Sequence, residues 1–346
     1  MRITVQTKTG AQEFDCEAGE KILHAGLRQG IALPYECGTG TCGTCKARTV
    51  SGLVDPGWRE APGRSYLKEE KSEFLLCQGT PSGDCAVMVP GKLPVDSAPL
   101  PTPGHYRGVT GSYAVLTRDV VSFTLTLEGR MDFSPGQFAI LEIPGIEGGR
   151  AYSMVNFAAR TDTLEFVIKR KPGGRFCDWI FSQPRNGVSV RVFGPLGRAV
   201  FRPEENKNVL CIAGGSGIAG IVSILSRAND FDYFATHKGS VFFGIRTAND
   251  AFFLDRMNGF ASAGRNLDIV IALSEGEAPS ALKDIYPALR FESGFIHAVA
   301  AAQMAGKFEN VTAFVAGPPP MVDGALRMLI MEARLPAQDI RYDKFG

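Results

Sequence analysis

The chain has 346 residues, 45% hydrophobic and 21% charged, which fits a folded globular protein and excludes a disordered one. Lys plus Arg number 37 and Asp plus Glu 36, a formal charge of +1, which excludes a strong general attraction to nucleic acid or to an anionic membrane. With no apolar run of about 18 residues and no signal-peptide core at the start, a cytoplasmic location is expected. Thiols stay reduced there, so the eight cysteines need a reason other than disulfides.

At roughly 100–200 residues per domain, two or three domains are expected. Ile3 and Val5 alternate with polar neighbours and read as a strand, followed by a short one around Phe14. In EKILHAGLRQG, Ile22, Leu23 and Leu27 share one face and Gly30 is a stop, which predicts a helix. A Gly- and Cys-rich loop follows, then a short strand, KARTV. Residues 94–104 carry four prolines in eleven positions, the composition of a stiff, extended linker. Residues 107–203 read as all-β, with alternating runs such as VVSFTLTLEG and TLEFVIKRK split by Pro-Gly and Gly-Gly turns. From about residue 207, the apolar runs VLCIA, SVFFGI, LDIVIAL and TAFVAG alternate with helix-like segments, which predicts a parallel sheet with crossover helices. The expected division is 1–92, a linker at 93–104, then 105–203 and 204–346.

Four cysteines stand out. Cys37, Cys42 and Cys45 have the spacing C-x4-C-x2-C, and Cys77 follows after a gap of 31 residues. This is the plant-type [2Fe–2S] spacing. Zinc sites favour two C-x2-C pairs, and only one is present. Gly38, Gly40 and Gly43 let the backbone curl round a cluster and aim N–H groups at its sulfurs. Cys16, Cys85, Cys177 and Cys211 lack such spacing and read as small core residues. His24, His105, His237 and His297 form no metal-binding pattern, and no G-x-S-x-G elbow is present, so hydrolase chemistry has no support.

On these motifs residues 1–92 resemble a plant-type ferredoxin domain and the rest resembles the ferredoxin–NADP reductase superfamily. Together they resemble the reductase components of bacterial multicomponent oxygenases. The resemblance implies a β-grasp ferredoxin domain, an antiparallel β-barrel flavin domain and a doubly wound parallel-sheet nucleotide domain. Phe133 to Phe138 resemble the turn before the flavin-binding strand, and Arg150-Ala151-Tyr152-Ser153 match the R-x-Y-S motif. By this resemblance Arg150 binds a flavin phosphate and Tyr152 stacks on the isoalloxazine. The resemblance also implies that Ser153 hydrogen-bonds near the flavin's reactive nitrogen and that Val167 and Lys169 flank the ring. Gly173, Gly174 and Cys177 resemble the G-G-x-x-S segment that receives the pyrophosphate at a helix N-terminus, with a thiol in place of the hydroxyl. FAD is the family's usual flavin, and FMN occurs in relatives.

Gly214, Gly215 and Gly217 follow an apolar strand and resemble the family's G-G-T-G-x-x-P, with Gly220 in the proline's place. Gly317 and Pro318 belong to a segment resembling C-G-P-P-x-M beside the nicotinamide, with Ala316 replacing the cysteine. Phe345 is the candidate aromatic ring brought to the flavin by the C-terminus. Arg246 lies where NADH and NADPH are told apart, and the resemblance favours NADH. The implied activity moves electrons from NADH through FAD and the [2Fe–2S] cluster to a terminal oxygenase, of diiron or Rieske type, docked transiently at the cluster face. Residues 57–63, GWREAPG, resemble reductases of toluene-type diiron monooxygenases, and Glu36, Arg48, Arg59 and Arg64 are candidates for the docking edge. Alternatives are an electron donor to a cytochrome P450, a reductase of deoxysugar synthesis acting on an enzyme-bound organic intermediate, and a redox-responsive binding protein.

Overall fold

The computed structural model describes residues 1–93 and 99–344. The expected linker at 93–104 therefore lies partly outside the described residues, and so does Phe345.

The N-terminal sheet has five strands: Arg2–Thr7, Gly10–Asp15, Lys46–Ser51, Glu73–Leu75 and Cys85–Met88. The first pairs antiparallel with the second and parallel with Cys85–Met88. The inward positions of the alternating strands, Ile3, Val5 and Val87, are fully buried. Ile22 and Leu23 of the helix Ile22–Arg28 join the same core. This is the β-grasp arrangement. A two-stranded ladder, Val54–Asp55 with Thr80–Pro81, was not legible as strand because it is so short.

The second domain is one antiparallel sheet. Its strands are Gly104–Thr117, Val120–Met131, Phe138–Glu142, Arg150–Ser153, Thr161–Lys169 and Ser189–Leu196. Phe123, Leu125, Leu164, Phe166 and Ile168 point inward on the period-2 rhythm of strands. The sheet curls until its two edges approach, and the N–H of Val155 donates to the carbonyl of Glu165 at 2.9 Å. The barrel-like shape follows from that contact.

The third domain is a six-stranded sheet in spatial order Leu289–Ser293, Leu267–Leu273, Gly239–Ile245, Asn208–Gly214, Val311–Gly317 and Ile340–Lys344. Every neighbouring pair is parallel. The chain order reverses between Asn208–Gly214 and Val311–Gly317, so the crevice at their carboxyl ends is the topological switch point where such sheets take ligands. Two of the six strands were missed by the apolar pattern. Leu289–Ser293 and Ile340–Lys344 lie at the sheet's edges and carry charged residues.

The domains are packed together. Phe138, Ile140, Phe193 and Leu196 of the barrel are buried against the core of the ferredoxin-like domain. Lys21 pairs with Glu142 at 2.6 Å across that interface. Beside it, His24 stacks on Phe193, with centroids 3.8 Å apart. Val120, Val155, Val167 and Phe201 of the barrel are buried with the core of the third domain.

Candidate functional site

The loop after the first helix turns through left-handed backbone at Gly38, Gly40 and Gly43, with φ of 65°, 86° and 76°. These turns direct the N–H groups of Thr39, Thr41 and Cys42 onto Cys37 Sγ at 3.4, 3.3 and 3.4 Å. Cys45 Sγ and Cys77 Sγ lie 3.2 Å apart, and Gln78 Nε2 donates to Cys77 Sγ at 3.5 Å. The thiol of Cys42, and then the backbone N–H groups, pull Cys37 well below the usual thiol value, while Cys42 itself is pushed up by sharing its proton with Cys37. Cys77 is lowered and Cys45 raised by the same sharing in the second pair.

The thiols thus form two pairs. Among the described residues no three His, Cys, Asp or Glu side chains converge on one ion. A mononuclear site would need that convergence. A binuclear cluster asks instead for two thiolates at each iron. The thiol-directed N–H groups suit the sulfurs of such a cluster, so these residues fit a [2Fe–2S] group.

Arg150, Tyr152 and Ser153 lie on the strand Arg150–Ser153, paired with Phe138–Glu142. The Tyr152 ring stands 5.3 Å from that of Phe176, which backs it from the helix Arg175–Ser182. Burial pushes the Tyr152 phenol upward, so it stays protonated at neutral pH. Ser153 is 7% exposed and Val167 3%. Lys169 Nζ pairs with Asp119 at 3.5 Å. Gly173 and Gly174 form the turn into the helix, and Gly174 is its N-cap. Cys177 Sγ accepts the N–H of Lys171 at 3.3 Å and donates to the carbonyl of Lys169 at 3.7 Å. The thiol therefore ties the turn to the preceding strand, and the helix N-terminus remains to receive an anion.

Gly214, Gly215 and Gly217 lead from the strand Asn208–Gly214 into the helix Ile218–Asp230. A methyl group on Gly217 would collide with the carbonyl oxygen of Ala316. Only glycine lets this turn lie against the neighbouring strand's end, which presents Gly317 and Pro318. Arg246 follows the strand Gly239–Ile245. Near it, Thr247 donates its N–H and hydroxyl to Asp250 Oδ2 at 2.9 and 2.8 Å. Burial works to raise Asp250, but these bonds and the charges of Arg118 and Lys169 outweigh it and leave the carboxyl below its ordinary value.

Residues of all three domains open onto one cavity of about 1630 Å³. Cys37 and Cys42, Arg150 to Ser153, Gly214, Gly215, Arg246, Gly317 and Pro318 are among the residues that line it. Gly217 lies just behind the wall. Glu36 also faces the cavity, and Arg64 is tied to Glu69 at 2.5 Å. Sequence reasoning missed Asp343. It sits opposite Ala316 on the last strand, lines the cavity, and is raised to about 7 by burial and by the charge of Glu36. In the sequence it is one carboxylate in a polar segment, with no pattern to distinguish it.

Family models match three consecutive parts of the chain. These are a 2Fe-2S iron-sulfur cluster binding domain over residues 3–82, an oxidoreductase FAD-binding domain over 111–201 and an oxidoreductase NAD-binding domain over 211–327. The ferredoxin–NAD(+) reductase component of the alkene monooxygenase system of Xanthobacter autotrophicus is 33% identical, covering 96% of this chain and 98% of its own. The reductase component of phenol 2-monooxygenase from a Pseudomonas species is 31% identical, covering 100% and 95%. Among solved structures, the ferredoxin reductase in carbazole 1,9a-dioxygenase superposes with a TM-score of 0.82 at 30% identity, over 100% of this chain and 99% of that one.

Proposed function

We propose a finer reading of a chain that belongs to the reductase components of multicomponent oxygenases: it takes electrons from NADH in preference to NADPH and delivers them to a terminal oxygenase of diiron or Rieske type. The transfer from a nicotinamide nucleotide through FAD and a [2Fe–2S] cluster is the activity of the family. The single cavity shared by the cysteine loop, the R-x-Y-S strand and the switch-point crevice carries its application here.

Once bound, the flavin supplies the conversion of a two-electron donation into single-electron steps, and the cluster supplies the outlet. The protein's own groups hold and orient. Arg150 presents a guanidinium to phosphate oxygens. Tyr152, braced by Phe176, offers an aromatic face and keeps its proton. Ser153 offers a hydroxyl from a buried position. Val167, Lys169, Gly173, Gly174 and Cys177 shape the rest of the flavin pocket. Gly214, Gly215, Gly217, Gly317 and Pro318 let a nucleotide approach the backbone N–H groups of the switch point. Cys37, Cys42, Cys45 and Cys77 ligate the cluster. In this reading Phe345 is the aromatic partner of the flavin. The functional units are 1–92, 105–203 and 204–346, with 93–104 as a linker.

The charge of Asp250 supports NADH. It is ionised at neutral pH and stands four positions from Arg246 on the same cavity wall. A fixed carboxylate repels a 2′-phosphate and accepts a hydrogen bond from a 2′-hydroxyl. Among the described residues no helix is long and apolar enough to cross a membrane. A cytoplasmic place fits the four thiols, which need a reducing compartment. Steady-state kinetics with each nucleotide, using purified diiron and Rieske oxygenases as acceptors, test this reading. It requires a higher kcat/KM for NADH and coupled turnover with one of the two oxygenase types. Preference for NADPH, or reduction of neither acceptor, would reject it.

A further inference from the structure

Trp58 lies in the segment between the third and fourth cysteines, yet its ring rests on the flavin domain. The guanidinium carbon of Arg150 is 5.3 Å from the centroid of the Trp58 ring, within cation–π range. The bend that delivers Arg150 passes beneath the same indole. Gly148 there has φ of 75°, and a methyl group on it would lie 3.0 Å from Trp58 Cε3. Arg150 Nη1 also donates to the carbonyl of Gly149 at 2.9 Å. The guanidinium is thus held by its own turn and by a ring from another domain.

Trp58 is itself fixed. The N–H of Gly57 donates to Asp55 Oδ1 at 3.0 Å, and the N–H of Ala61 donates to the carbonyl of Trp58 at 3.3 Å. Gly57 lies close against the carbonyl of Gln78, where a methyl group would meet the oxygen at 2.5 Å. Gln78 follows Cys77 and donates to its sulfur at 3.5 Å. A continuous set of contacts therefore runs from a cluster cysteine to the arginine of the flavin strand.

We infer that Trp58 is a positioning residue of the flavin site: the ferredoxin domain, besides carrying the cluster, completes the flavin-phosphate pocket by fixing the guanidinium of Arg150. This rests on the reading of Arg150 as a flavin-phosphate ligand. A free arginine samples many rotamers, and ordering it on binding is subtracted from affinity. An indole face orders the guanidinium in advance and leaves its N–H edge free for phosphate. Retention of FAD thereby depends on the docking of the domain that receives its electrons.

The test measures the FAD dissociation constant of the full-length holoprotein, from the recovery of flavin fluorescence on dilution. The variants are Trp58→Ala, Trp58→Leu, Trp58→Phe, Arg150→Ala and the double variant Trp58→Ala with Arg150→Ala. Trp58→Ala and Trp58→Leu are expected to weaken FAD about fivefold, equivalent to ~1 kcal/mol, with the cluster absorbance unchanged. Trp58→Phe restores most of the affinity because it restores a ring. In the Arg150→Ala background, removing Trp58 adds nothing. The inference is overturned if Trp58→Leu, which keeps an apolar side chain and loses the ring, binds FAD as wild type does. It is also overturned if loss of Trp58 weakens FAD equally without Arg150. If Arg150→Ala has no effect, the flavin-phosphate reading itself fails, and that outcome is visible independently of Trp58.

Discussion

Glu20 offers the sharpest quantitative test of how the domains are joined. The residue is 8% exposed and sits at the edge of the contact between the ferredoxin and flavin domains. Arg28 donates to both oxygens at 2.7 and 3.0 Å, His105 Nε2 of the barrel lies 3.1 Å from Oε1, and the N–H of Glu17 reaches Oε2 at 3.0 Å. Burial alone would raise its pKa. The hydrogen bonds from His105, Arg28 and Glu17 outweigh burial and bring it to about 2, from an ordinary 4.5. A folded value below the unfolded one contributes stability above the unfolded pKa and loses it as pH falls toward the folded pKa. The difference corresponds to roughly 3 kcal/mol at pH 7. Glu20→Gln removes the charge at constant shape. It should cost up to about 3 kcal/mol at pH 7 and about 1.4 kcal/mol less than that at pH 3.5. Urea unfolding of the wild type and the variant over this range gives both numbers. An equal penalty at both pH values would show that the carboxylate's charge is not the source, and no penalty at pH 7 would refute the network.

Other expectations follow from single contacts. Cys77→Ser should abolish the cluster's absorbance and paramagnetic signal while leaving flavin reduction by NADH intact, as anaerobic spectra of the variant would show. Gly217→Ala drives a methyl group into the carbonyl of Ala316 and should weaken NADH binding about tenfold or more, read as KM, with FAD retained. Asp250→Asn removes the fixed negative charge near Arg246 and should shift the NADPH-to-NADH ratio of kcat/KM toward NADPH by about tenfold. Asp343 is raised to about 7, so flavin reduction measured by stopped flow should change across neutral pH in the wild type. Asp343→Asn should remove that step, and its persistence would assign the titration elsewhere.

Much of this molecule was legible because its chemistry is local in sequence. The cluster needs four thiols, and three lie within nine residues, Cys37 to Cys45. The four interior strands of the nucleotide domain are apolar on both faces and announced themselves as runs. The edge strands Leu289–Ser293 and Ile340–Lys344 did not, because one flank of an edge faces water and tolerates Arg, Glu and Lys. The departures from family motifs were visible, but their consequences were not. Cys177 was expected at the pyrophosphate, and only the folded structure shows its sulfur engaged by Lys171 and Lys169. The contact of Trp58 with Arg150 joins residues 92 positions apart, and no periodicity encodes it. Asp343 was invisible for the same reason, since its raised pKa comes from burial in the fold and from the charge of Glu36, distant in sequence.

On the proposed function, the cluster loop, the flavin strand and the nucleotide crevice form one electron route. Anaerobic titration of the holoprotein with NADH, followed in the visible spectrum without any added acceptor, tests it most directly. Bleaching of both flavin and cluster bands, complete at about three electrons per chain, is the expected result. A reduced flavin beside a cluster that stays oxidised would contradict the claim.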